Sequence, residues 1–540
     1  MEVAVFITLS LVIAIAVIIY YKIQHIKNLK AQIHASFGSI PQEEDPDFDR
    51  LSSIKQYAEH ITFHDMRIDS ITWNDLDMDR VFKRINACQS SVGEEYLYNC
   101  LHEPHFEEEI LLKREELIKF FDSHPKERFA AQYALAKLGK ENYNGIATLI
   151  FGADIKLLRH PYIYKILALL PLVSIAGFIF GIAAGIFSIL VAFTINLVVD
   201  NRAMKKVNIE IPAIAYFAAM MRCCKRLYKI KPLCIQPIMS DLQKPYKAFK
   251  KAVSKAPTKK PNFSSDMADA MWAYFNTMFL YNVRHYNNFM SLIMRHNQEF
   301  HHIFKTLGEI DLAISILSFR MSLPAFSTPK FCDKNVLDFK DIYHPLIPKP
   351  VTNTYLIDRN SLITGSNASG KSTFIKTLAI NGILAQTIFT CTAKHFETRF
   401  SMIITSMAMR DDLLGGESYF IVEIKSLKRI LDLVEKYPCT CYIDEILRGT
   451  NTIERIAASA SILNHLSKKD CLCIAASHDI ELTRITDYSN YHFREHVTDG
   501  TIMFDYLLKT GPSTTKNAIK LLEVMGFDQT IVENAQELAL

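Results

Sequence analysis

The sequence predicts an α/β domain built on a parallel sheet, joined to an all-α region and to apolar segments that cross a membrane. Three observations predict it. From about residue 335 onward, short apolar and partly β-branched runs alternate with helical segments, the pattern of parallel strands with crossover helices. Residues 61–160 and 207–320 follow a helical period with few glycines. Val3–Tyr21 and Ile166–Val199 hold no charged residue.

The apolar segments come first along the chain. A bilayer core of roughly 30 Å takes about 20 helical residues, so Val3–Tyr21 fits one crossing. Glu2 precedes it, and Tyr20, Tyr21 and Lys22 close it, which suits an uncleaved anchor better than a cleaved signal. Ile166–Val199 is too long for one crossing and is read as a hairpin turning near Gly181–Gly185. Lys22, Lys27 and Lys30 follow the first span; Arg159 and Lys165 precede the second segment, and Arg202, Lys205 and Lys206 follow it. Basic flanks face the cytoplasm, so both hairpin ends and everything downstream are expected there. The expectation is a multi-pass membrane protein with lipid as one partner.

The expected divisions are an anchor at 1–21, a solvated linker at 22–60, helical core at 61–165, a transmembrane hairpin at 166–200, helical core again at 201–335, and the α/β domain at 336–540. The linker reading rests on the acidic run Glu43, Glu44, Asp45, Asp47 and Asp49 around two prolines. A lysine-rich stretch from Lys244 to Lys260, broken by Pro245 and Pro257, is read as a solvated loop that could alternatively meet phosphates or anionic lipid. The net charge of +4 over 540 residues neither demands nor excludes nucleic acid. Of 11 cysteines, four stand as Cys439-x-Cys441 and Cys471-x-Cys473 in strand-like runs and are read as buried and reduced rather than as zinc ligands.

Four motifs carry chemistry. Gly365-Ser366-Asn367-Ala368-Ser369-Gly370-Lys371-Ser372-Thr373 fits G-x-x-x-x-G-K-[ST] between an apolar strand and a helix. Its glycines let backbone wrap phosphates, Lys371 reaches the β and γ phosphates of ATP, and the Ser372 hydroxyl ligates Mg2+. The apolar run Cys439–Ile443 ends in Asp444 and Glu445, a second metal-holding acid followed by a general base. His478, after the run Leu472–Ser477, falls at the same sheet edge, as the switch histidine of ABC-type ATPases does. Gly415-Gly416-Glu417-Ser418 opens a helix. A second anion-binding turn has no use in its own subunit and fits ATP held by a partner, so a homodimer is expected.

In this order the motifs resemble the DNA mismatch-repair MutS family. Asp444-Glu-Ile-Leu-Arg-Gly-Thr450-Asn, Ala476-Ser-His478-Asp-Ile-Glu-Leu482, the Asp412–Glu423 region and Asp341-Ile-Tyr-His344-Pro345 are similar to that family's ATPase segments. Ser91-Val-Gly93-Glu-Glu-Tyr-Leu97 and Leu307-Gly-Glu-Ile-Asp311 resemble its helical core and the helix returning from its lever. The resemblance implies an ABC-type P-loop ATPase domain, a helical core and lever, dimerisation in which Lys516–Leu540 takes part, and DNA binding. The chain departs from the family before residue 70, where an anchor and linker stand in place of a mismatch-reading domain. Phe106-x-Glu108 matches that domain's Phe-x-Glu pattern, but inside helical core, and is read as coincidence. Two functions follow: an ATP-gated DNA clamp tethered to a membrane, or an ATPase serving a membrane assembly without DNA.

Overall fold

The computed structural model describes residues 2–41, 48–60, 66–141, 145–152, 157–207, 210–230, 266–366, 369–407, 419–447, 450–498, 501–513, 522 and 526–538. The chain forms two compact units, 1–62 with 86–99 and 117–318, and 63–85 with 100–116 and 319–540.

The first unit is helical. Its N-terminal helix α1 (Glu2–Ser36) runs well past the expected anchor. The end of α1 is fixed: His34 stacks on Phe129 at 4.3 Å, and the Gly38 amide donates to Ser318 at 2.9 Å. Next, α2 (Phe48–His60) corrects the linker expectation. Its Ile54, Tyr57 and Ala58 are buried, and Arg50 reaches the buried carboxylate of Glu94 at 2.9 Å. The apolar face of α2 outweighs the polar composition that suggested solvation.

Two motifs from distant parts of the sequence meet in this unit. The Asp311 carboxylate accepts from the amides of Gln89 and Ser90 at 3.0 and 2.9 Å and from the Ser90 hydroxyl at 2.6 Å. It therefore caps the N-terminus of the helix Ser91–His102, where unpaired amides favour an anion. Burial pushes this carboxyl up to about 6 despite those bonds. A Cβ on Gly93 would lie 2.2 Å from Asp311 Oδ2, which is why a glycine stands there.

Two apolar stretches, Pro161–Phe180 and Ile182–Ala203, are long and apolar enough to cross a membrane, and most of their residues are not buried. The first limb is broken into α3 (Pro161–Leu167), α4 (Leu170–Ser174) and a 3-10 turn at Ile175–Phe180. The return limb is one helix, α5 (Ile182–Val207). Gly181, at φ +120°, makes the turn. Small residues let the limbs approach: a Cβ on Gly177 would meet Ser188 at 2.3 Å, and one on Gly185 would meet Phe178 at 2.4 Å. Beyond the hairpin, α6 (Asp266–Phe279) packs on α5. The side chains that define Val3–Tyr21 lie mostly outside the described residues, as does the whole stretch 244–260.

The second unit holds a six-stranded sheet. In chain order its strands are β1 (Ser361–Thr364), β2 (Met402–Ser406), β3 (Cys439–Asp444), β4 (Cys471–Ser477), β5 (Ser489–His492) and β6 (Lys509–Thr510). Their spatial order is β6-β5-β1-β4-β3-β2, parallel except for β6. Asn353–Ile357 belongs to a separate four-stranded sheet, and the chain turns before β1 begins.

Three helices cover the parallel sheet: α7 (Lys371–Ile388), α8 (Tyr419–Val434) and α9 (Thr452–Leu466). Residues alternate along β3, as a pleated strand requires. Cys439, Cys441 and Ile443 enter a core with Leu427, Ile430 and Leu463 of α8 and α9, while Thr440, Tyr442 and Asp444 point to the opposite face. Cys439 stands opposite Cys471 and Cys441 opposite Cys473; all four are free and buried. The edge strand β2 is covered by the short helix Ser70–Asp75, whose Asp75 accepts from the Thr405 hydroxyl at 2.6 Å and the Met407 amide at 3.0 Å.

Candidate active site

Strand order decides what meets at the carboxyl edge of the sheet. β1, β4 and β3 are neighbours, with Thr364 opposite Ser477 and Asp444 opposite Ala476. The loop after β1, the Asp444-Glu445 pair after β3 and His478 after β4 therefore share one edge. Crevices at such edges are where ligands bind in open α/β sheets.

The loop from Gly365 to Gly370 leads into α7. Gly365 has φ +142° and Gly370 φ +103°, both closed to other residues without strain. A Cβ on Gly365 would lie 2.5 Å from the Phe493 carbonyl oxygen. Lys371, almost wholly buried, turns its ammonium back onto the loop and donates to the Gly365 and Ser366 carbonyls at 2.7 Å each. Ser369 donates to the Ser366 carbonyl at 2.8 Å, and Ser366 to Glu495 at 2.7 Å. Ser372 and Thr373 are exposed at the first turn of α7, where unpaired amides and the helix dipole favour an anion. Asn367 and Ala368 lie outside the described residues, as does Ser418 with the whole loop 408–418.

Asp444 is buried, and its Oδ1 has no hydrogen-bond partner among the described residues. A buried carboxylate oxygen without a donor is costly. It is the arrangement expected where a cation completes the site, and Ser372 offers the exposed hydroxyl that would join it. Glu445 takes a left-handed backbone, φ +61°, and its amide donates to the Ala476 carbonyl at 3.0 Å. Its Oε1 lies 2.8 Å from His478 Nε2, so the edge couples a carboxylate to an imidazole.

Other residues support this edge, and sequence reading assigned them no role. Arg455 of α9 grips Asp479 with two bonds of 2.9 and 2.7 Å, fixing the turn that carries His478. Glu423 of α8 accepts from the Leu447 amide just beyond Glu445. Glu495 anchors Ser366. Arginine–carboxylate partners far apart in sequence give no local signal, so only the fold could pair them. His344 is held neutral: burial and nearby Lys376 bring it down to about 4, and its Nδ1 accepts from the Leu346 amide at 3.2 Å.

Residues 361–540 match the family model described as MutS domain V. The DNA mismatch repair protein MutS of Thermotoga petrophila is 28% identical over 265 residues, 47% of this chain and 33% of that protein. That of Streptococcus pyogenes serotype M49 is 27% identical over 248 residues, 43% of this chain and 29% of the relative. That of Thermus thermophilus is 29% identical over 180 residues, 33% of this chain and 22% of the relative. The matched stretch thus covers a third or less of each relative.

Proposed function

We propose that this chain, a MutS-family protein by its C-terminal domain, is a Mg2+-dependent ATPase of the ABC-type P-loop class, anchored in a membrane and acting on DNA as an ATP-gated dimer. The observation that carries the ATPase reading is the unpartnered Oδ1 of Asp444 on the same sheet edge as the glycine loop and the Glu445–His478 couple.

Each residue then has one task. Residues Gly365, Ser366, Asn367, Ala368, Ser369 and Gly370 wrap the phosphates with backbone, and Lys371 leaves the loop carbonyls to meet them. The amides of Lys371, Ser372 and Thr373 open α7 toward the same charge. Ser372 and Asp444 would hold Mg2+, which supplies neutralisation of phosphate charge when bound. Glu445 accepts the proton of the attacking water as the water oxygen bonds to the γ phosphorus and the bond to ADP breaks. His478 keeps the Glu445 carboxylate in place. Ser418 from a second chain would close over the nucleotide, so ATP joins two subunits and hydrolysis frees them.

Membrane attachment rests on the hairpin, two exposed apolar limbs of 20 and 22 residues between basic flanks. With the N-terminal segment it makes a multi-pass protein whose ATPase domain is cytoplasmic. The DNA reading rests on the family, whose named members are mismatch repair proteins. The exposed hairpin favours a second reading, an ATPase that works on a membrane assembly and leaves DNA alone.

ATP turnover of the purified full chain in detergent, measured with and without duplex, mismatched and branched DNA, separates them. Stimulation that fades with added salt supports the DNA clamp, because phosphate contacts release counterions. Turnover indifferent to every DNA rejects it in favour of the membrane-assembly reading.

A further inference from the structure

The hairpin is not alone in exposing apolar surface. On α6 (Asp266–Phe279), Met271, Tyr274 and Phe275 are 68%, 63% and 45% exposed. Their spacing of three and four residues puts them on one stripe. From Ala270 to Val283 the sequence has no Asp, Glu, Lys or Arg. A stripe of this kind, left open to water, is the signature of a surface that meets something apolar.

Where α6 sits on the hairpin gives its depth. Asn196 of α5, fully buried, donates through Nδ2 to the Met278 carbonyl at 2.7 Å. Thr277 donates to Asp200 at 3.0 Å, and the Tyr274 and Phe193 rings are 6.1 Å apart. α6 is thus fastened to α5 between Phe193 and Asp200, immediately before Arg202, Lys205 and Lys206. Basic residues at the end of an apolar helix lie among lipid headgroups. On α5, Val191, Ile195 and Val198 are exposed as well. Tyrosine and tryptophan concentrate at that depth, because their rings are apolar and their tips polar. Residues 271–281 read Met-Trp-Ala-Tyr-Phe-Asn-Thr-Met-Phe-Leu-Tyr, which is such a composition.

We propose that α6 is an interfacial helix: its Met271–Tyr274–Phe275 stripe lies in the headgroup layer of the bilayer that the hairpin crosses, with Asn196 and Asp200 holding it there. The partner is a lipid surface, and the proposal rests on the membrane reading of the hairpin. A helix so placed ties the helical unit to the membrane plane at a second point, beyond the hairpin itself.

Tryptophan quenching in vesicles tests it. The full chain is reconstituted into phosphatidylcholine carrying bromine either near the headgroup end of its chains or near their termini. The parent is Trp272→Phe, which retains Trp73. Adding Tyr274→Trp, or in a separate protein Ile179→Trp at the exposed hairpin tip, reports each position by difference from the parent. Each variant is required to melt as the parent does; Phe275→Trp replaces Tyr274→Trp if that variant does not. The proposal expects the tryptophan at 274 to lose fluorescence more strongly to the shallow bromines than to the deep ones. Quenching of the 179 variant without quenching of the 274 variant overturns the interfacial helix and leaves the hairpin in the membrane. Stronger deep than shallow quenching at 274 overturns the headgroup placement. No quenching at either position overturns the membrane reading itself.

Discussion

Replacing Gly365 by alanine tests whether the loop conformation, and not its composition alone, makes the site. The new Cβ would lie 2.5 Å from the Phe493 carbonyl oxygen and 3.2 Å from Ser369 Oγ. An ordinary carbon–oxygen contact is about 3.3 Å, so one partner must retreat by about 0.8 Å. Phe493 resists, since its amide donates to the Thr364 carbonyl at 3.0 Å at the end of the β1–β5 ladder. The loop must therefore move. Its φ of +142° also becomes strained, at about 1–3 kcal/mol, and crowding adds about 1–3 kcal/mol. Retreat of the loop by even the lower total, about 2 kcal/mol, weakens nucleotide binding roughly 30-fold. Gly382→Ala is the control. Its Cβ meets only the Ile403 side-chain end, 3.0 Å away, and a helical alanine gains about 1 kcal/mol over glycine. Equilibrium binding of a fluorescent ATP analogue reads both variants. Unchanged affinity in Gly365→Ala, with Gly382→Ala equally unaffected, refutes the argument from backbone strain.

Two further outcomes concern the stability of the second unit. Arg320 is buried, donates to Glu115 at 2.7 and 3.2 Å and also reaches Thr390 and the Phe389 carbonyl at 2.9 Å each. Arg320→Ala removes both bonds to the buried Glu115 and lowers stability by about 3–5 kcal/mol, while the double change Arg320→Met with Glu115→Leu recovers most of that loss; urea unfolding reads both. His344 has a folded-state pKa near 4, below the usual value of about 6.5, so the unfolded chain binds the proton first as pH falls. Its contribution to stability is present at pH 7 and is lost as pH drops from about 6.5 toward 4, by about 2 kcal/mol at pH 5. His344→Asn, which keeps an acceptor for the Leu346 amide, should flatten that part of the stability-against-pH curve.

Local chemistry and pairing across the sheet were not equally legible. The glycine loop, the strand ending in Asp444 and the histidine after the next strand each carry their signal within about ten residues, and the fold brings all three to one edge. Nothing local tells that β4 lies between β1 and β3; that follows from pairing of β4 with β3, 32 positions away, and with β1, 113 positions away. Residues 63–85 and 100–116 group with 319–540 through bonds such as Thr405 to Asp75 and Arg320 to Glu115, so the expected boundary at 336 omits parts of that unit. The acidic run at 43–49 suggested a solvated linker up to residue 60, yet α2 starts at Phe48, because Ile54 and Tyr57 find a core and Arg50 finds Glu94. The uncharged run spans 166–199, whereas the apolar stretches extend over 161–203. Tyr162 and Lys165 at one end and Asp200 and Arg202 at the other extend the helices beyond the uncharged run.

In the proposed hydrolysis of Mg-ATP, Glu445 is the base at the edge that also holds the loop and Asp444. Turnover and ATP affinity of Glu445→Gln are compared with those of the unaltered full chain, with Mg2+ present and then chelated. Loss of a positioned general base lowers turnover by about 100- to 10,000-fold, while affinity changes little because glutamine keeps the side chain's shape. Turnover of the unaltered chain should also vanish when Mg2+ is chelated. Equal turnover in Glu445→Gln, or turnover indifferent to Mg2+, would rule out Glu445 as the base or Mg2+ as the cation.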